Sequence, residues 1–153
     1  VLTWYRFRTV WWLPADHHIV FSVLADVAGY PRWWPDVRSV SHRDRDTAGV
    51  VARSSLPFTL VLHVHRVEED AERGVLRATV GGDLRGSLKA VVSQDGRGTR
   101  VDVVQEVEVR RRLLRVLSPW LRPLLRLNHA AMMRRGRWGL GRHLRDRAPE
   151  PPR

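Results

Sequence analysis

From Ser118 to Asp146 the chain reads SPWLRPLLRLNHAAMMRRGRWGLGRHLRD, and this run decides how the rest is read. Ser118 followed by Pro119 is a helix-start signature: the hydroxyl can accept from an orphaned N–H, and proline has no N–H to leave unpaired. Leu121, Leu124, Leu125, Asn128 and Met132 then recur three or four apart, which sets them on one helical face. Farther along, the apolar face moves round to Met133, Leu140 and Leu144. The expected helix therefore curves, breaks, or is covered on more than one side. If continuous it spans roughly 40 Å at 1.5 Å per residue, enough to cross a small domain. What precedes it reads mainly as strands, so this is the helix on which they would close.

Working outward from it, residues 4–13 alternate as a strand, with Tyr5, Phe7, Trp11 and Leu13 on one face and Arg6 and Arg8 on the other. Pro14-Ala15-Asp16 ends that strand and offers Asp16 as an N-cap. A helix is expected from His17 to Ala28, with Val20, Val23, Leu24 and Val27 spaced for burial and Gly29 as its stop. Tyr30-Pro31-Arg32-Trp33-Trp34-Pro35-Asp36 reads as a second short helical turn bracketed by prolines. Two adjacent tryptophans cannot face the same way on it, so at least one is expected to point to an interior space. Strands follow at 37–42, 50–54, 56–67, 75–80, 84–93 and 100–109, joined by short polar turns, which favours an antiparallel meander. Their alternation leaves one face apolar and one mixed, as in a sheet covered on one side.

At 153 residues the chain is large enough to bury a core without covalent staples, and one domain over 1–146 with an unstructured tail at 147–153 is expected. The absence of cysteine excludes disulfides and thiolate metal sites. The first residues lack a signal-peptide pattern, and no apolar run approaches the roughly 18 residues of a membrane span. A soluble cytoplasmic protein is expected. The net charge of +11 is confined to one end: residues 1–109 carry 14 basic and 14 acidic side chains, whereas residues 110–153 carry 13 Arg against Asp146 and Glu150. A basic amphipathic helix suits anionic membrane, RNA or an acidic partner, and equally a solvated arginine face. Arg122, Arg126 and Arg137 fall within about 60° of one another on a helical wheel, opposite the early leucines. They are expected to face solvent together and to offer a stripe to an anionic membrane, with nucleic acid the less favoured partner.

Catalytic chemistry finds little purchase. His63 and His65 lie two apart on a strand, a spacing that can ligate a metal, but no third ligand accompanies them and their face reads as the solvent side. The serines show no nucleophile elbow. Glu106 and Glu108 alternate with Val107 and Val109, as an exposed face does against a buried one. Gly136-x-x-Gly139-x-Gly141 follows a helix where a dinucleotide fingerprint would follow a strand. No metal or cofactor is expected.

Four passages together resemble the SRPBCC or START-like helix-grip superfamily, and within it the bacterial polyketide cyclase/dehydrase and lipid-transport group. They are Pro14-Ala15-Asp16 with Val20-Phe21, Tyr30-Pro31-Arg32-Trp33-Trp34-Pro35, Gly82-Asp83-Leu84-Arg85-Gly86, and Asn128-His129 with Met132-Met133, Gly136 and Gly139-Leu140. The resemblance implies an α+β helix-grip fold: a curved antiparallel sheet of six or seven strands wrapped around a long C-terminal helix, with two short helices after the first strand. It also implies an elongated apolar cavity between sheet and helix. Many members of the group carry an aromatic residue a few positions after the second glycine of the Gly-Asp-Leu-x-Gly passage. Leu88, Lys89 and Ala90 stand there instead, which bears on cavity size.

In such a cavity Trp33, Trp34, Asn128, His129 and Met132 are the candidate ligand contacts. Core packing competes as an explanation for the tryptophans. For Asn128, a poor helix former in mid-helix, a hydrogen bond to a neighbouring strand's backbone competes. Three functions follow from this reading. The first is binding or transport of a small hydrophobic ligand such as a lipid, isoprenoid or polyketide. The second is a polyketide cyclase or dehydratase in the same cavity, with a group such as His129 moving protons. The third is a binding module acting through the Arg-rich helix.

Overall fold

Alternation builds the sheet. In the computed structural model, which describes residues 4–53, 59–109 and 112–147 (backbone alone at 112–122 and 147), β1 (Trp4–Leu13) buries Tyr5, Trp11 and Leu13 and turns Trp4, Arg6, Arg8, Val10 and Trp12 outward. After α1 (His17–Ala25) and a 3-10 helix at Val27–Arg32 come six strands: β2 (Val37–His42), β3 (Thr47–Arg53), β4 (Thr59–Asp70), β5 (Val75–Gly82), β6 (Leu84–Asp95) and β7 (Gly98–Val109). All pair antiparallel in one seven-stranded sheet of order β1-β7-β6-β5-β4-β3-β2. A last helix, α2 (Arg112–Arg147), lies on the concave face. This is the helix-grip architecture expected from the sequence.

Two helix boundaries differ from expectation, each for a local reason. α1 stops at Ala25 and not Ala28, because Asp26 leaves helical geometry and the chain tightens toward Pro31, which has no N–H to donate. Its N-terminus is as expected, with Asp16 Oδ1 accepting from His18 N at 2.9 Å. α2 starts six residues before Ser118 and spans 36 residues, about 54 Å. Pro119 costs it one backbone bond, while the fixed φ of proline is itself helical. Of the tail placed at 147–153, Arg147 is still helical and the remainder lies outside the described residues. Residues 56–58 of the strand expected at 56–67 also lie outside them.

The main core joins Trp11 and Leu13 of β1, Val20, Phe21, Val23 and Leu24 of α1, Val92 of β6, Val101 of β7, Trp33, and Met133, Leu140 and Leu144 of α2. The apolar face of α2 that rotates toward Met133, Leu140 and Leu144 is thus the face that meets α1 and the sheet. Two glycines let the Trp33-Trp34 segment lie directly on the helix. A Cβ on Gly139 would run into the Trp33 carbonyl oxygen, and one on Gly136 would come 2.6 Å from Trp34 Cε2. Since the obstacle at Gly139 is backbone, no side chain can swing aside. Gly139→Ala is expected to lose about 1–3 kcal/mol in urea denaturation despite the better helix propensity of alanine. Gly141→Ala, where a Cβ meets nothing within 4 Å, should be neutral or stabilising.

Candidate functional site

The stretch from Tyr30, in the 3-10 helix, to Asp36, just before β2, divides its side chains between two sides. Tyr30, Trp34 and Asp36 turn inward, and there they meet a cavity of about 250 Å³ between the sheet and α2. Its walls are mostly apolar: Trp11 from β1, Leu24 and Ala25 from α1, Val50, Leu62, Leu76, Leu88 and Val103 from the sheet, and Met132 and Met133 from α2. Leu88, Lys89 and Ala90, at the positions where the resemblance implies an aromatic residue, all border this space.

Trp34 is held in position by its polar atom. Its Nε1 donates to the Met132 carbonyl of α2 at 3.0 Å, and its ring meets Trp11 edge-on at 5.8 Å and stacks on Trp33 at 5.4 Å. Trp33 belongs to the core, 4% exposed, and stands behind Trp34 outside the cavity wall. Of the five residues singled out in the sequence, Trp34 and Met132 border the cavity. Asn128 and His129 do not. Asn128 is half-buried. His129 stacks face to face on Phe7 at 3.8 Å and pairs through Nε2 with the side-chain oxygen of Gln105, which itself reaches the cavity. Facing an acceptor, Nε2 carries the proton, and burial lowers the imidazole pKa to about 4, so the ring is neutral at physiological pH. The partner of His129 is thus a side chain of β7.

Three residues at this site were not singled out from the sequence. Arg66 follows Leu62 and Val64 on the inner face of β4 and stands at the cavity mouth. Its Nη2 donates to the Ala25 carbonyl at 3.2 Å and its Nη1 to Glu69 Oε2 at 3.1 Å. Beside it the Tyr30 hydroxyl donates to the Leu24 carbonyl at 2.6 Å. Both groups satisfy carbonyls that the end of α1 leaves without helical partners, and the cation also suits the negative end of the helix dipole. Burial, then the charge of Asp26, raises the Tyr30 pKa far above its usual value, so the phenol stays protonated. A bulge in the β4–β5 pairing between Arg66 and Glu68 bends the strand at this mouth, as bulges do near sites. The third residue is Asp36, 2% exposed, whose two carboxylate oxygens accept from Arg135 Nε and Nη2 at 2.7 Å each. That pair ties the end of the tryptophan segment to α2.

The outer face of the sheet carries the remaining candidates. His63 and His65 lie on it, with His65 Nδ1 2.8 Å from Thr47 Oγ1. Glu106 pairs there with Arg6 at 3.3 Å. No helix among the described residues is long and apolar enough to cross a membrane.

A family model described as polyketide cyclase / dehydrase and lipid transport matches residues 13–147. No curated protein matches the sequence closely enough to count as a relative. Among solved structures the chain is similar to the Zhui aromatase/cyclase from Streptomyces sp. R1128, with TM-score 0.80 and 14% identity over 96% of this chain and 97% of that one. It is also similar to a START superfamily protein from Mycobacterium smegmatis (TM-score 0.76, 12% identity, 94% and 99% covered). A third likeness is to the major latex-like protein 151 of Panax ginseng (TM-score 0.70, 9% identity, 93% and 98% covered). At these identities the likeness is one of fold.

Proposed function

This chain belongs to the polyketide cyclase / dehydrase and lipid transport family, and from that premise we propose that it binds a small hydrophobic ligand in the cavity between sheet and α2. The reading rests on one observation: an apolar space of about 250 Å³ lies between sheet and α2, bordered by Trp11, Leu24 and Met133 of the main core. Ligand pockets commonly run from about 300 to 1,000 Å³, so the ligand is compact. Withdrawal of its apolar surface from water supplies roughly 25 cal/mol per Å². Trp34 and Met132 are the proposed contacts along its body. Arg66 and Tyr30 at the mouth are the groups a polar end would meet, the guanidinium exchanging one carbonyl contact for the ligand.

Binding is preferred to catalysis because of the position of His129. A cyclase or dehydratase needs a proton-transfer group aimed at the substrate, whereas His129 does not border the cavity and its Nε2 is engaged by Gln105. The solved aromatase/cyclases of the same fold keep the enzymatic reading as the second one.

Met132→Trp tests the binding site. The larger ring should fill the space and weaken binding of an apolar fluorescent probe, anilinonaphthalene sulfonate, at least tenfold, a change of about 1.4 kcal/mol. Far-ultraviolet circular dichroism should be unchanged. Equal affinity of the two proteins would remove the cavity from consideration. Native mass spectrometry of protein purified from its own host would then identify what the cavity carries.

A further inference from the structure

The side of the tryptophan segment that turns away from the cavity borders a second concavity. It is an open groove of about 600 Å³ between Pro31–Pro35 and the last turns of α2. Arg32, Arg134 and Arg142 line it together with Trp138, Arg135 and His143, and Asp146 is the acidic residue at its end. The charge of Arg135 is matched by Asp36, but none of Arg32, Arg134 and Arg142 has an ion-pair partner among the described residues. The groove is therefore a concentration of unmatched positive charge.

Apolar surface adjoins it. Trp138 is 58% exposed and Leu127 67% exposed, although both are large hydrophobic residues. Leu127, Ala131, Arg134, Trp138 and Arg142 follow one another at steps of three and four, so they form a single line along the outer side of α2. Arg126 and Arg137 are exposed about a quarter turn away, with Arg126 over the Phe7 ring at 6.0 Å. The side chain of Arg122 lies outside the described residues.

A long helix whose outer line interleaves arginine with tryptophan and leucine matches a planar anionic surface better than an acidic protein. Large apolar groups held in water find a place at the acyl boundary, tryptophan prefers the headgroup level, and every unmatched charge in the line has the same sign. We propose that this face of α2, from Leu127 to Arg142 together with Arg32, docks on an anionic lipid bilayer, with lipid phosphates seated in the groove among Arg32, Arg134 and Arg142. Docking depends on none of the cavity contacts.

The test is co-sedimentation with vesicles of equal parts phosphatidylglycerol and phosphatidylcholine, and with vesicles of phosphatidylcholine alone, at low and physiological salt. Native protein should bind the anionic vesicles only, less at higher salt. Each arginine near the surface contributes about fivefold in partition, so R32Q/R134Q/R142Q should lower it roughly a hundredfold. W138A should reduce binding most at physiological salt, where the apolar contact dominates. Since these side chains are exposed, circular dichroism and Tm should match the native protein. M132W should bind vesicles like the native protein, which separates this proposal from the cavity reading. No binding to anionic vesicles would overturn it, as would binding lost in R126Q/R137Q but retained in the triple variant. Binding of polyuridylate or glycerol phosphate, lost in the triple variant and unaccompanied by vesicle binding, would assign the groove to RNA or to small anions and overturn it too.

Discussion

Arg135→Ala is expected to destabilise the protein by about 3 kcal/mol, lowering Tm by roughly 6–12 °C for a chain of this size. The cause lies with its partner. Asp36 is almost fully enclosed, and both of its carboxylate oxygens accept from the one guanidinium. Without Arg135 the carboxylate keeps its burial and loses its charge partner. The side chain of Arg135 is itself 36% exposed, so water can occupy part of the vacated position, which sets the loss at the lower end of the range for broken buried pairs. Asp36→Ala should cost less, because the freed arginine can turn to solvent. Urea denaturation of both single variants and the double variant gives the coupling directly. Equal losses in the two single variants would show that the pair is not the asymmetric clamp its geometry describes.

The second large effect is one of pH. The imidazole of His129 titrates near 6.5 in the unfolded chain and near 4 in the folded one, where burial disfavours the cation. Between those values the unfolded state binds more protons. The stability held in full above about pH 6.5 therefore declines as the pH falls, and this group's share is gone near pH 4. At about 1.4 kcal/mol per pKa unit the decline is roughly 3 kcal/mol. The groups that face the ring, Phe7 from β1 and Gln105 from β7, are uncharged and offer the imidazolium no compensation. His129→Gln should flatten the profile of unfolding free energy between about pH 7 and pH 4 while other histidines still titrate. If the slope is the same in the variant, the acid sensitivity resides elsewhere.

Most of the sheet was legible in the sequence because its signal is local. The two-residue alternation of Tyr5, Phe7, Trp11 and Leu13 needs no knowledge of what covers them, and they do face inward. The bounds of β1 and β2 match the reading from residue pattern alone. The start of α2 was less legible, since Ser118-Pro119 looks the same at a helix start and inside a helix long enough to spare one hydrogen bond. The site was legible in part. That one of two adjacent tryptophans must face inward is a rule of helix geometry, but that it is Trp34 depends on the Met132 carbonyl, 98 positions away. Arg66 did leave a signal, as a charge in step with the apolar residues Leu62 and Val64 on β4. Asp36 and Arg135 left none, because neither position implies the other until the fold brings them together.

One feature of the topology also sets the order of events during folding. β1 is made first but pairs with β7, made last among the strands, so that Trp4 lies against Glu108 and Leu13 against Thr99. Strands β2 to β7 can assemble by successive hairpins, each closing a short loop, whereas β1 must close a loop of nearly the whole sheet, with Arg8 and Asp102 94 positions apart. On the ribosome the first strand and α1 therefore wait, with Trp11, Leu13 and Phe21 uncovered, until residue 109 has left the exit tunnel. That interval is where the nascent chain is expected to be most prone to aggregation.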